Sequence, residues 1–370
     1  MSRKPAPTPS PDAGTTPVAG RMRRRRHGGY TIHDVAARAG VSSITVSRYF
    51  NQPDKVSPAL RERIAQAVSQ TGYVPSQVAG RLASGSSRVV GAVMQNFASA
   101  TFADTVQGMT DVLDDSGLQL LLANTNYVRT REERAIRSLV GWHPSALILT
   151  RHDHAPAAEA LLRRLSIPIV ETWDLGEKRP FHQVGFSHEA VGAELAQHFV
   201  DQGARRIRFV QASVPEDFRA RQRSLGYGRV MREQGLMPDV VAAEVREPFQ
   251  AGAAVIGRFA AEPVSTRPQA IVFANDDMAA GAILHAAALG LQLPRDCAIA
   301  GFGDAALAAH LQPALTTMRP DRYAIGRIAA ELLLELLAGG PADAAAAEPR
   351  CIVVPCRMVA RDSGRVMAVR

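Results

Sequence analysis

From Arg88 onward, short apolar runs alternate with stretches of helical periodicity, and no other feature restricts the fold so strongly. The runs are VVGAVM, LQLLLANT, ALILT and IPIVET, then, after Phe186, RIRFVQA, AIVFAN and AIAGFG, recurring roughly every 25–30 residues. Fully apolar strands are covered on both faces, and a helix between successive strands is the crossover that parallel neighbours require. The pattern predicts two doubly wound α/β lobes with a break near Ser187.

Charge is distributed unevenly along the chain. Residues 1–87 hold 13 lysines and arginines against 4 acidic residues, a net of +9, whereas the remainder holds 30 against 31. A basic head on a neutral body is the electrostatic footprint of polyanion binding. Five arginines fall between Arg21 and Arg26 with no apolar core after them, so the reading excludes a secretory signal, and residues 1–29, rich in Pro, Gly, Ser and Arg, are expected to be a disordered basic tail. No apolar run reaches the ~18 residues needed to span a bilayer. Cys297, Cys351 and Cys356 give neither zinc spacing nor a disulfide framework. The last two, read as one strand, fall on opposite faces, and a reducing cytoplasm is expected.

Residues 30–75 read as three short helices. Ile32, Val35, Ala36 and Ala39 form one apolar face that Gly40 ends; Ser42 caps a second helix whose apolar face is Val46 and Phe50. Ser57 and Pro58 open a third, striped by Leu60, Ile64 and Ala67 and stopped by Gly72. This is an all-α helix-turn-helix head. Its second helix would enter the major groove, presenting Ser43 with Ser47 and Ile44 with Arg48. Arg48 can fork onto a guanine edge, and Ile44 can touch a thymine methyl.

The stretch from Thr31 to Gly85, with DVA, AGVS, TVSR and GYVP at their expected places, resembles the DNA-binding head and hinge of the LacI/GalR family of transcriptional regulators. The resemblance implies DNA contacts at Thr31, Ser42, Ser43, Ile44, Ser47 and Arg48. It also implies a hinge over 76–87 with contacts at Ser76, Ala79 and Leu82, folding on operator DNA and wedging Leu82 into the minor groove. Ser76 stands where the family usually has Asn, and Gly80 lowers helix propensity by ~1 kcal/mol. For the body, 88–370, the resemblance implies a periplasmic-binding-protein-like fold, with lobe 1 about 88–187 and 319–346 and lobe 2 about 188–318 and 347–365.

Ligands in such folds bind between the lobes at the carboxyl ends of strands. The candidates are Phe102, Tyr127, Arg151, Asp174, Phe186, Arg223, Asn275 and Asp304; Asp174, Phe186, Arg223 and Asn275 match positions that contact the sugar in the family. Gly303 replaces an Asp of lactose-type regulators, which removes a negative charge from the site. The stretches NTNY, LVGWHPSALILT and VGFSHEAVGAELA are most similar to the gluconate-utilisation branch, and Arg223 with Arg151 would pair the carboxylate of a sugar acid.

Three other signals carry less. GFGDAA fits a dinucleotide fingerprint, but Pro313 follows too soon for a long helix; RHDHAP lacks a third metal ligand and reads as a solvated cleft rim; NDD at Asn275–Asp277 marks a helix N-terminus. No nucleophile elbow, phosphate loop or HExxH is present, so neither an enzyme, a cofactor nor a metal is expected. A solute-binding protein would share the body but need a signal peptide and no basic head, and an architectural DNA-binding protein would not need the cleft. The expectation is a cytoplasmic homodimeric repressor, not a tetramer, since the chain closes on RDSGRVMAVR without heptads. It would bind a palindromic operator and be released by a sugar or sugar acid, the alternative being corepression.

Overall fold

The computed structural model describes residues 29–75, 88–96, 100–212, 214, 217–340 and 347–367, with backbone alone at 100 and 101. The basic tail through residue 28 and the hinge 76–87 lie outside the described residues. The chain divides into two compact units, Met1–Gly85 and Ser86–Arg370.

In the first unit, helices α1 (Ile32–Ala39), α2 (Ser43–Asn51) and α3 (Pro58–Thr71) enclose Val35, Ala36, Ala39, Val46, Val56, Ile64 and Ala67. Local signals set each boundary. Thr31 and Asp34 form a reciprocal capping box, Gly40 ends α1 at φ 62°, Ser42 accepts from the Thr45 amide at 3.2 Å, and Gly72 ends α3 at φ 62°. Ser57 occupies the backbone cap of α3, but its side chain makes no capping bond, so Pro58 alone supplies the start signal.

The second unit repeats one sheet plan twice. Strands β1 (Val89–Met94), β2 (Gln119–Asn124), β3 (Ala146–Leu149), β4 (Ile169–Asp174) and β5 (His182–Phe186) alternate with helices α4 (Ala100–Asp115), α5 (Arg129–Gly141) and α6 (Pro156–Leu162). The second lobe runs α7 (His188–Asp201), β6 (Ile207–Gln211), α8 (Phe218–Glu233), β7 (Asp239–Ala242), α9 (Pro248–Ala261), β8 (Ala270–Phe273), α10 (Asp276–Ala286), β9 (Ala298–Phe302) and β10 (Thr316–Pro320). Helix α11 (Arg322–Ala338) returns to pack on α4, and β11 (Cys351–Val353) and β12 (Cys356–Val359) complete one sheet each. The sheet orders are β11-β5-β4-β3-β1-β2, all parallel, and β12-β10-β9-β8-β6-β7, parallel except for β12. Strand order reverses beside β1 in one sheet and β6 in the other, and the ends of these strands and their neighbours face the same cleft.

Two sequence expectations change here. Cys351 and Cys356 do not share a strand: the run between them contains Pro355, which cannot donate to a ladder, and the cysteines separate into β11 and β12 on different sheets. For the same reason the second lobe does not resume at 347, because β11 pairs with β5 in the first sheet and the crossing falls at 354–355.

Close packing of α7 on α8 fixes the cleft floor. A Cβ at Gly192 would stand 1.8 Å from the Arg223 carbonyl oxygen, and one at Gly226 would stand 1.9 Å from that of Glu189. Glycine at both places lets the two backbones touch, which brings His188 and Arg223 into hydrogen-bond range.

Candidate functional site

Two sites emerge, one on each unit. On the head, α2 turns Val46 into the core and leaves Ile44 63% exposed, with Arg48 and Ser42 exposed and Ser43 and Ser47 half-buried. An isoleucine in water on a helix that also carries an unburied guanidinium makes a face suited to reading base edges. Ser47 is engaged by Asn51, whose side-chain amide donates to its carbonyl at 2.9 Å, while the Thr31 hydroxyl is held by Asp34 at 2.8 Å. Ser76, Ala79 and Leu82 lie outside the described residues.

In the body, a cavity of about 740 Å³ opens between the lobes. Its wall includes Phe102, Tyr127 and Trp173 from the first lobe and His188, Arg219, Arg223, Asn275, Asp276 and Phe302 from the second. Trp173 and Tyr127 adopt left-handed backbone, φ 78° and 65°, which bulky residues seldom tolerate and which aims both side chains from the sheet ends.

The floor is an ionic network spanning the lobes. Arg219, in the first turn of α8, donates from Nε and Nη2 to the two oxygens of Asp174 at the end of β4, 2.8 and 2.9 Å away. It also reaches Gln95 Oε1 at 2.5 Å and the Thr150 carbonyl. Burial alone would raise the Asp174 pKa, but the Arg219 charge and its two hydrogen bonds, with the His152 and His188 rings close by, hold it well below the carboxylate range. One turn further on, Arg223 donates from Nη1 to His188 Nδ1 at 2.9 Å and from Nη2 to the Ala274 carbonyl at 2.8 Å, and it lies 4.0 Å from the centre of the Phe302 ring.

Because a guanidinium can only donate, His188 Nδ1 is the acceptor and its proton sits on Nε2, 3.2 Å from Asp174. Burial keeps this ring neutral, driving its pKa down to about 4 against the pull of Asp174. Arg223 therefore has no carboxylate in contact among the described residues, and its buried Nε has no hydrogen-bond partner; nor does the buried Trp173 Nε1. On the opposite wall, burial lifts the Asp276 carboxyl to about 6 even though it accepts from the Thr317 hydroxyl at 2.6 Å and the Ala305 amide at 2.7 Å.

Of the eight residues singled out from sequence, Phe102, Tyr127, Arg223 and Asn275 line the cavity. The other four do not. Asp174 lies one layer below, committed to Arg219. Phe186 packs beneath Trp173 and His188, its ring centre 4.6 Å from that of the histidine. Arg151 pairs with Asp153 at 2.6 Å, which takes it away from a ligand carboxylate. Asp304 is held by Arg361 at 2.8 Å and by Arg319, on a left-handed residue that turns it out of the cleft. Gly303 carries no acid of its own, but a Cβ there would be 3.8 Å from Asp276 Oδ2, so a carboxyl stands beside that position.

Arg219, His188, Trp173 and Phe302 were not anticipated. The i,i+4 spacing of Arg219 and Arg223 was the available signal, since it puts both on one helix face. The RHDHAP segment is no solvated rim either: His154 is buried between Glu132, 3.0 Å away, and Glu171, 3.2 Å away. Among the described residues no group of three or more His, Cys, Asp or Glu is placed to hold a metal, and no helix is long and apolar enough to cross a membrane.

Comparison with known proteins agrees with this geometry. Residues 31–76 match the family described as bacterial regulatory proteins, lacI family, and residues 196–364 match a periplasmic binding protein-like domain. The HTH-type transcriptional regulator GntR of Pseudomonas aeruginosa is 33% identical over 317 residues, covering 85% of this chain and 91% of that protein. A LacI-family transcriptional regulator from Silicibacter pomeroyi superposes with a TM-score of 0.82 at 31% identity, covering 90% of this chain and 99% of that one. The lac repressor dimer bound to operator and the anti-inducer ONPF gives 0.76 at 26% identity, with the same coverage. The chain belongs to the lacI family of bacterial regulatory proteins.

Proposed function

We propose that this regulator represses genes of sugar-acid catabolism. It binds a palindromic operator as a homodimer and is released when an aldonate such as gluconate enters the cleft. The observation that carries the effector class is the buried guanidinium of Arg223, which has no carboxylate in contact and an unpartnered Nε facing an aromatic-walled cavity. A ligand carboxylate supplies the missing counter-charge, and in a buried site such a charge-assisted pair is favoured over a neutral hydroxyl. Phe102, Trp173 and Phe302 offer apolar surface to the carbon chain, and Asn275 and Asp276 take hydroxyls. The lac repressor structure, a dimer on operator, supports the oligomeric and DNA parts of this reading.

On the head, Arg48 and Ile44 read bases while Thr31, Ser42, Ser43 and Ser47 position the helix. Ser76, Ala79 and Leu82 form the hinge contacts. Effector binding shifts the lobes joined by Arg219 and Asp174, so part of its free energy appears as lost operator affinity.

The test is fluorescence anisotropy of the full chain on a palindromic operator selected from random DNA. Millimolar gluconate releases the wild type, whereas Arg223→Ala binds operator and ignores gluconate. Release of Arg223→Ala at the wild-type concentration, or tightening of the wild type by gluconate, overturns the reading.

A further inference from the structure

The mouth of the cleft carries a second cationic pair. Arg131, in the first lobe, and Arg246, in the second, both line the cavity and are both exposed. Neither guanidinium has a hydrogen bond or ion pair with any described residue, whereas Arg219, which lines the same cavity, holds Asp174. Their placement is also costly. Arg131 lies in the first turn of α5, and Arg246 directly precedes Glu247, the cap of α9, so each sits where the positive end of a helix disfavours a cation.

None of the three acids of the cavity wall is in contact with either guanidinium. Asp217 caps α8 by accepting from the Ala220 amide, Asp276 is taken by Thr317 and Ala305, and Asp277 lies in the first turn of α10. Two guanidiniums and two helix N-termini, one of each from either lobe, converge on one opening, an arrangement that favours an anion spanning both lobes.

We propose that the effector carries two acidic groups, the inner one against Arg223 and the outer one, a phosphate ester or a second carboxylate, clamped between Arg131 and Arg246. This rests on the sugar-acid reading and extends it. The outer acid bridges the lobes, so it adds to lobe closure as well as to affinity, and a mono-acid such as gluconate makes only the inner contact.

Calorimetry on the full-length protein tests it with four probes: D-gluconate, D-glucarate, 6-phospho-D-gluconate and D-glucose 6-phosphate. At least one of the two diacids binds tenfold or more tightly than gluconate, and the diacid with the larger gain identifies the outer group. Glucose 6-phosphate, lacking the inner carboxylate, falls well below 6-phosphogluconate. In the Arg131→Ala, Arg246→Ala double variant the diacid-to-gluconate affinity ratio collapses towards one. Gluconate binding as tightly as both diacids, or a ratio unchanged in the double variant, overturns the second acidic group while leaving the sugar-acid reading intact. Failure of every sugar acid to bind removes both.

Discussion

Two buried ionic clusters in the body use the same residue types and end with opposite charge balance. In the first lobe, His154 sits between Glu132 and Glu171, and Arg179 and Gln183 complete the coordination of Glu171 at 2.6 and 3.1 Å. Two cations face two carboxylates. At the cleft floor, Arg219 takes the carboxylate of Asp174, while Arg223 contacts only a neutral His188 and a backbone carbonyl. Burial pulls both histidines down, but the two glutamates overcome it at His154 and push that ring up to about 9, while at His188 one aspartate against two guanidiniums leaves it at about 4. The same side chain is a fixed cation in a strut and a neutral acceptor in a site. Charge matching separates a cluster whose cations are all paired from one that leaves a guanidinium without a carboxylate in contact.

The sharpest way to break the first cluster is Glu171→Ala, which leaves buried His154 with Glu132 alone and the half-buried Arg179 without its carboxylate, and should cost ~3–5 kcal/mol in urea unfolding. A loss under 1 kcal/mol would show that the cluster is not a strut. Arg48→Ala, which touches neither cluster, should cost ~1–3 kcal/mol on the operator and much less on random DNA. Equal losses would make it a phosphate contact only. Gly192→Ala should cost ~1–3 kcal/mol by pushing α8 from α7, and should weaken effector binding through displacement of Arg223 while Glu171→Gln leaves the cleft in place.

Acidity distinguishes the two histidines by sign. The folded pKa of His154 lies above its unfolded value of 6.5, so its stabilisation is complete below pH 6.5 and is lost as pH rises through about 9. That of His188 lies below 6.5, so its contribution is complete above pH 6.5 and is lost as pH falls towards 4. Unfolding of His154→Gln should lack the alkaline decline, and that of His188→Gln the corresponding acid component. The opposite assignment would reverse the comparison.

The head was legible because its signals are local. Each helix is bounded by residues within a few positions of its own stripe, such as Thr31 with Asp34 and Pro58 with Gly72. The parallel sheets were legible because a strand covered on both faces must be apolar throughout. The cleft was legible only in part. Asp174 and Arg223 could be placed near strand ends, but the partner of Asp174 is 45 residues away in the other lobe, and Arg219 also reaches Gln95 across 124 residues. No periodicity encodes such a contact. Arg151 and Asp304 read as cleft residues because strand ends were the only guide, and close partners, Asp153 for the one and Arg319 and Arg361 for the other, turn them elsewhere.

The central claim is that Arg223 is a buried cation whose counter-charge comes from the effector. Titrating D-gluconate and D-glucose into the full-length protein and into Arg223→Ala by calorimetry at neutral pH tests it directly, because both are six-carbon polyols and only gluconate carries a carboxylate, and the variant separates that charge from the ring form of glucose. Gluconate should bind at least tenfold more tightly, with that advantage lost in Arg223→Ala; glucose binding as tightly as gluconate, or a preference that survives the substitution, would contradict it.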